Sequence, residues 1–245
     1  MGKRDAIGKK HHGVIRAIGE RNDMDYRKLI GERHSVRAYE DRPLSDDVAA
    51  KLEDCIAKIN MESGLHIQLI RDEPRAFDSA LAHYGHFSGV SNYIALIGRK
   101  SPDLDERCGY FGEKIVLEAQ GLGLNTCWVA LTYKRIPGVF RIGEGEKLTV
   151  VIAVGYGKTQ GSVRRSKTAE EVSNCTETSP EWFIDGVKAA LLAPTATNQQ
   201  KFFLQLCDGG KVRAKAGFGP YAKMDLGIVK CHFEIGSGKT DIWCY

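Results

Sequence analysis

A long-range self-similarity constrains this chain more than any other feature. Leu65-His66-Ile67-Gln68-Leu69-Ile70 lines up with Phe202-Phe203-Leu204-Gln205-Leu206-Cys207, and each stretch follows a run of apolar residues at helical spacing. Further along, Gly121, Gly123 and Trp128 match Gly236, Gly238 and Trp243 at one constant offset. The pattern is helix, strand, intervening segment, helix, strand, stated twice, with a first repeat at about 45–131 and a second at about 180–245. Two αβ units can also look alike through shared physics alone, and the short matches leave both readings open.

Local signals support the helices. Ser45 with Asp46 and Asp47 makes an N-cap and an acidic first turn, after which Val48, Leu52, Cys55, Ile56 and Ile59 recur on one face. Ser179-Pro180-Glu181 repeats the device with Pro expected at the first helical position, ahead of Ile184, Val187, Leu191 and Leu192. A third run, Glu113 to Leu122, stops at glycines. Strands are expected at Leu65 to Ile70, Tyr93 to Ile97, Thr126 to Leu131, Leu148 to Val154, Phe202 to Cys207 and Asp241 to Tyr245. Their irregular interleaving with helices favours an α+β fold over a doubly wound parallel sheet.

Composition narrows the function classes. With 245 residues, 42% of them hydrophobic, the chain can bury a sizeable core. No apolar run approaches the roughly 20 residues of a membrane-spanning helix, and Met1-Gly2-Lys3-Arg4 leads into no signal-like stretch. A cytoplasmic protein without membrane attachment is expected. The seven scattered cysteines form no C-x-x-C pair, and neither His11-His12 nor His83 and His86 have ligands spaced to complete a metal site. A net charge of +4 falls short of a nucleic-acid-binding face. Much of the excess lies in residues 1–23, read as a basic, mobile lead before a folded part that starts near Met24.

Two apparent phosphate loops are decoys. Gly157-Lys158-Thr159 and Gly238-Lys239-Thr240 lack the earlier glycine, with Ile152 and Phe233 in its place. Gly121-Leu122-Gly123 lacks the third glycine of a dinucleotide fingerprint. The first constellation with chemical content is Arg33-His34-Ser35-Val36-Arg37, whose alternate residues can aim two guanidinium forks and a hydroxyl the same way, a set that suits a phosphate monoester. Arg164-Arg165-Ser166-Lys167 follows Val154-Gly155-Tyr156-Gly157 as a second basic cluster. Taken alone, either cluster can equally be a solvated loop.

Together these motifs resemble the nitroreductase-like FMN flavoproteins. Members carry an Arg-x-Ser-x-Arg/Lys run, a Pro-Ser-x-x-Asn-x-Gln loop, a Gly-Leu-Gly helix end before a strand, and a Val-Gly-Tyr strand end followed by basic residues. The counterparts here are Arg33 to Arg37, Pro194 to Gln200, Gly121 to Trp128, and Val154 to Lys167. One departure is instructive: the Pro194 loop follows the basic cluster and sits in the second repeat, where family members place it soon after the Arg-x-Ser run. Ordinary members are homodimers with flavin at the interface. The resemblance therefore implies the single-chain branch, in which two degenerate repeats pack as a pseudo-dimer with one flavin site in a monomer.

The same resemblance implies roles. Arg33, His34, Ser35 and Arg37 with Arg165 and Lys167 would hold the phosphate and ribityl end of FMN. Thr195, Asn198 and Gln200 would meet the isoalloxazine, and Trp128, Val129, Ala130 and Leu131 would lie beside the ring and offer it a backbone N–H. Asn198 could instead only hold its turn, and Trp128 could be plain core. No side-chain catalyst is implied, because the hydride chemistry belongs to the flavin. The implied activity is electron transfer from NAD(P)H to a nitroaromatic, quinone or flavin. A flavin-storing module or a partner-binding domain is the rival reading.

Overall fold

The computed structural model describes residues 24–244, so the basic lead at 1–23 lies outside the described residues. Asp25 caps helix α1 (Tyr26–Glu32) through its side chain. Ser45 caps α2 (Asp46–Ser63) by accepting from the Val48 N–H, and Gly64 in the left-handed region ends it. The face expected from sequence is the buried one, with Leu52, Ile56 and Ile59 in the core.

A four-stranded antiparallel sheet follows in the order β1-β2-β4-β3, with β1 (Gln68–Ile70), β2 (Asn92–Arg99), β3 (Asn125–Val129) and β4 (Glu146–Gly155). The short α3 (Ala80–Tyr84) and the long α4 (Leu104–Gly121) flank β2 in sequence. β2 is buried along nearly its whole length because both sheet faces are covered. On one face, Ile94, Leu96, Ile152 and Val154 pack against α2 and α4. On the other, Tyr93, Ala95, Ile97 and Val151 pack against Val36, Tyr39, Phe77 and Phe87.

The second part holds α5 (Ala169–Val172), α6 (Glu181–Leu191), the antiparallel pair β5 (Phe202–Cys207) and β6 (Lys211–Ala216), and α7 (Ala222–Ser237). Its core gathers Phe183, Val187, Leu204, Val212 and Phe233. The order helix, strand, strand, helix thus occurs twice, as α2-β1-β2-α4 and α6-β5-β6-α7, with shorter elements between. After α7 only Trp243 bridges to Val212, where β3 forms a full strand after α4. The strand expected at Asp241 to Tyr245 is therefore reduced to one bridge, and Tyr245 lies outside the described residues.

Helices α4 and α7 join the two parts at very close range. A Cβ on Gly109 would lie 2.0 Å from the Met224 carbonyl oxygen, and one on Gly227 would lie 1.9 Å from that of Glu106. Only glycine permits this approach. Gly112 and Gly227 stand at the offset that relates Trp128 to Trp243.

Several expected boundaries are corrected. The ladder at Leu65 to Ile70 begins only at Gln68, because the Ile67 N–H and carbonyl bond the Asn60 side chain instead. The Glu113 to Leu122 run is the second half of α4, whose start at Leu104 is masked by the half-buried charged residues Asp105, Glu106 and Arg107. Pro180 is the N-cap of α6 rather than its first residue. β3 stops at Val129, leaving Ala130 and Leu131 beyond the strand.

Candidate active site

The Arg33 to Arg37 run lies alongside β3. Ser35 bridges to Thr126 in parallel, and the Val36 N–H donates to the Thr126 carbonyl at 3.0 Å. This pairing brings Ser35 and Arg37 to a cleft of about 120 Å³ that is lined as well by Trp128, Val129 and Ala130 and by Pro194 to Thr197. Met224, Asp225 and Ile228 close it from the first turns of α7. The cleft is thus walled by both parts of one chain.

Of the residues singled out from sequence, Ser35, Arg37, Trp128, Val129, Ala130 and Thr195 line this cleft. Leu131 does not; it projects into solvent at 68% exposure. Arg33 does not either. Its side chain is 2% exposed and faces the equally buried Glu113, with Nε 3.7 Å from Oε1. His34 is half-buried against Gly161, where a Cβ would meet the His34 Cβ at 2.5 Å. Burial and the neighbouring Arg33 and Arg164 push its imidazole pKa down.

Asn198, Gln200, Arg165 and Lys167 come together in a separate hydrogen-bonded weave. Asn198 Nδ2 donates to the Arg165 carbonyl at 2.8 Å, and Gln200 Nε2 donates to the same oxygen at 3.2 Å. The Lys167 N–H donates to Gln200 Oε1, and its ammonium donates to the Gln200 carbonyl, each at 3.0 Å. Arg164 reaches back to the Leu191 and Ala193 carbonyls at the end of α6. Burial, then Arg33, brings its guanidinium pKa down to about 10, against the pull of Glu113. The weave fixes the loop from Pro194 to Gln200 in place.

That loop is held against its own preferences. Thr197, Asn198 and Gln200 all adopt positive φ, at 49°, 57° and 45°. Such conformations cost on the order of 1–3 kcal/mol each and persist where surroundings enforce them. The enforcing group facing the cleft is Asp225, a residue that sequence reasoning missed. Its Oδ1 accepts from the Ala196 N–H at 3.0 Å and its Oδ2 from Gln199 Nε2 at 2.7 Å.

Burial pushes the Asp225 carboxyl up to about 6, although both hydrogen bonds pull the other way. Because the folded value exceeds the unfolded one, the group's contribution to stability is full below about pH 4 and is lost as pH rises through about 6. Asp225→Asn cannot titrate. In urea unfolding of the apoprotein from pH 4 to 7, its stability relative to wild type should rise with pH, by up to about 3 kcal/mol. A difference that stays flat across this range would contradict the assignment.

The donor set suits a phosphorylated planar ligand. Arg37 and Arg165 are exposed cations with no hydrogen-bonded or ion-paired side-chain partner among the described residues. Past Val129 the ladder with Val151 ends, which leaves the next backbone N–H groups outside the strand. The enclosed volume is below the roughly 300–1,000 Å³ of a full ligand pocket, so a ligand of that size would be only partly enclosed. A second cavity of about 280 Å³, between α1, α4 and α7, is larger and more apolar but is lined by none of the residues of the Arg33, Pro194 or Arg164 segments. The described residues hold no cluster of three or more potential metal ligands, and none of their helices is long and apolar enough to cross a membrane.

The family model "Putative TM nitroreductase" matches residues 25–237. The chain belongs to this nitroreductase family. A solved structure described as a putative nitroreductase from Thermotoga maritima is 23% identical, with a TM-score of 0.62 over 88% of this chain and 85% of that one. Another, a putative nitroreductase in complex with FMN from Desulfovibrio desulfuricans, is 19% identical with a TM-score of 0.50. All of that chain aligns with 65% of this one. No curated protein sequence matches. The nitroreductase resemblance read from the motifs is thereby established at the level of family and fold.

Proposed function

We propose that this nitroreductase-family chain binds one FMN in the cleft and transfers electrons from NAD(P)H to a small acceptor such as a nitroaromatic, a quinone or another flavin. The observation that carries the reading is the meeting of Ser35 and Arg37, the end of β3 and the Thr195 loop around one cleft. It fits the FMN held by the Desulfovibrio relative. When bound, the flavin supplies two-electron hydride chemistry.

The chain's own residues would bind and orient it. Arg37 and Arg165 would neutralise the phosphate, with Ser35 donating beside them. Ala130 would offer its backbone N–H to the ring edge, and Thr195 to Thr197 would cover the ring from the second part. Both contributions come from one chain, which supports the pseudo-dimer reading of the two parts and a monomer with a single site.

Anaerobic titration tests this directly. FMN-loaded protein should lose its flavin absorbance on addition of NADH or NADPH and regain it with a quinone or nitroaromatic. A protein that binds FMN but stays oxidised with both nicotinamides would be a storage module, and one that binds no FMN would refute the reading altogether.

A further inference from the structure

Several segments around the cleft send a side chain to one buried anion, Glu113. Its side chain is fully buried within α4. Oε2 accepts from the Trp128 indole N–H at 2.9 Å, and Trp128 forms part of the cleft wall. Oε1 faces His232 Nε2 at 2.8 Å, on the helix α7 that closes the cleft. His232 Nδ1 in turn meets the Ala189 carbonyl at 3.2 Å, near the end of the helix that leads into the Pro194 loop. Arg33, the first residue of the anion-binding run, lies 3.7 Å from Oε1, and Arg164 is held in the same electrostatic neighbourhood.

Among these groups the charges are lopsided. Arg33 and Arg164 are cations, both ring nitrogens of His232 face acceptors, and Glu113 is the acidic group they share. A buried charge acts on its neighbours with little screening.

We propose that Glu113 is a positioning residue for the flavin: it fixes the Trp128 wall against α7 and offsets the positive charge of Arg33 and Arg164. The inference rests on the FMN reading above. Removing the anion should loosen the wall and leave the cations uncompensated. Reduced flavin carries more negative charge than oxidised flavin, so its potential should rise.

The test uses the full chain with Glu113→Gln, which keeps shape and one acceptor but removes the charge. It should bind FMN at least tenfold more weakly, and the midpoint potential of its bound FMN should move positive. His232→Gln, which lies outside the cleft and keeps a donor toward Glu113, serves as a second variant should the first fail to fold, and should also weaken FMN at least tenfold. In a double-mutant cycle, Trp128→Phe and Glu113→Gln should be non-additive in FMN affinity. Altered thermal stability with FMN affinity within twofold of wild type and an unchanged potential would overturn the proposal. Wild-type protein that binds no FMN would instead sink the functional reading on which it depends.

Discussion

Arg33→Ala is expected to destabilise the apoprotein by about 3 kcal/mol, the lower end of the range for breaking a buried ion pair. Both side chains are almost fully buried, so the substitution strands Glu113 away from water. The loss stays at the lower end because Trp128 and His232 still face the carboxylate. Arg37→Ala makes the opposite profile: its exposed side chain has no hydrogen-bonded or ion-paired side-chain partner among the described residues to strand, so stability should stay within about 0.5 kcal/mol. Its cost should appear in binding, where losing a charge-assisted bond weakens FMN by about 1.5–3 kcal/mol and riboflavin, which lacks the phosphate, far less. Urea unfolding and paired FMN and riboflavin titrations read both. An Arg33→Ala protein as stable as wild type would return Arg33 to the ligand-binding role first read from its motif.

The second large effect is expected at the joint between the two parts. Gly227→Ala places a methyl group 1.9 Å from the Glu106 carbonyl oxygen and 2.6 Å from the Tyr110 nitrogen, both backbone atoms that cannot step aside. Alanine would gain about 1 kcal/mol of helix propensity over glycine. Overpacking typically costs about 1–3 kcal/mol and occasionally more. With two backbone clashes the cost falls at the upper end, so a net loss of about 2 kcal/mol is expected. FMN binding should weaken with it, because Met224, Asp225 and Ile228 of the same helix wall the cleft. Gly31→Ala is the matched control: in α1 its Cβ would meet nothing within 4 Å, so the propensity gain should appear alone. Equal responses at the two glycines would show that the α4 and α7 contact is looser than described.

The residues that were legible in the sequence share a local cause. The Ser45 cap, the apolar face of α2 and the strand Phe202–Cys207 follow from short-range patterning, and the family motifs follow from residue types at fixed spacing. β6 escaped notice because Lys211, Arg213 and Lys215 conceal an alternation in which only Val212 is fully buried. Most of α7 was foreshadowed only by the repeat. Arg33 carries the signature of a ligand-binding arginine, yet its environment is set by Glu113, a residue distant in sequence that only tertiary packing brings beside it. Asp225 was hidden for the same reason: its partners, Ala196 and Gln199, belong to a loop whose path is not written in its local composition.

On the proposed function, one chain builds one FMN site from its two parts. Native mass spectrometry of the protein reconstituted with excess FMN tests it most directly. A single chain carrying one FMN is expected, with loading lowered in both Arg37→Ala and Thr195→Ala variants and not restored when the two are mixed. Two flavins per chain, or a two-chain species in which the mixed variants regain FMN, would contradict it.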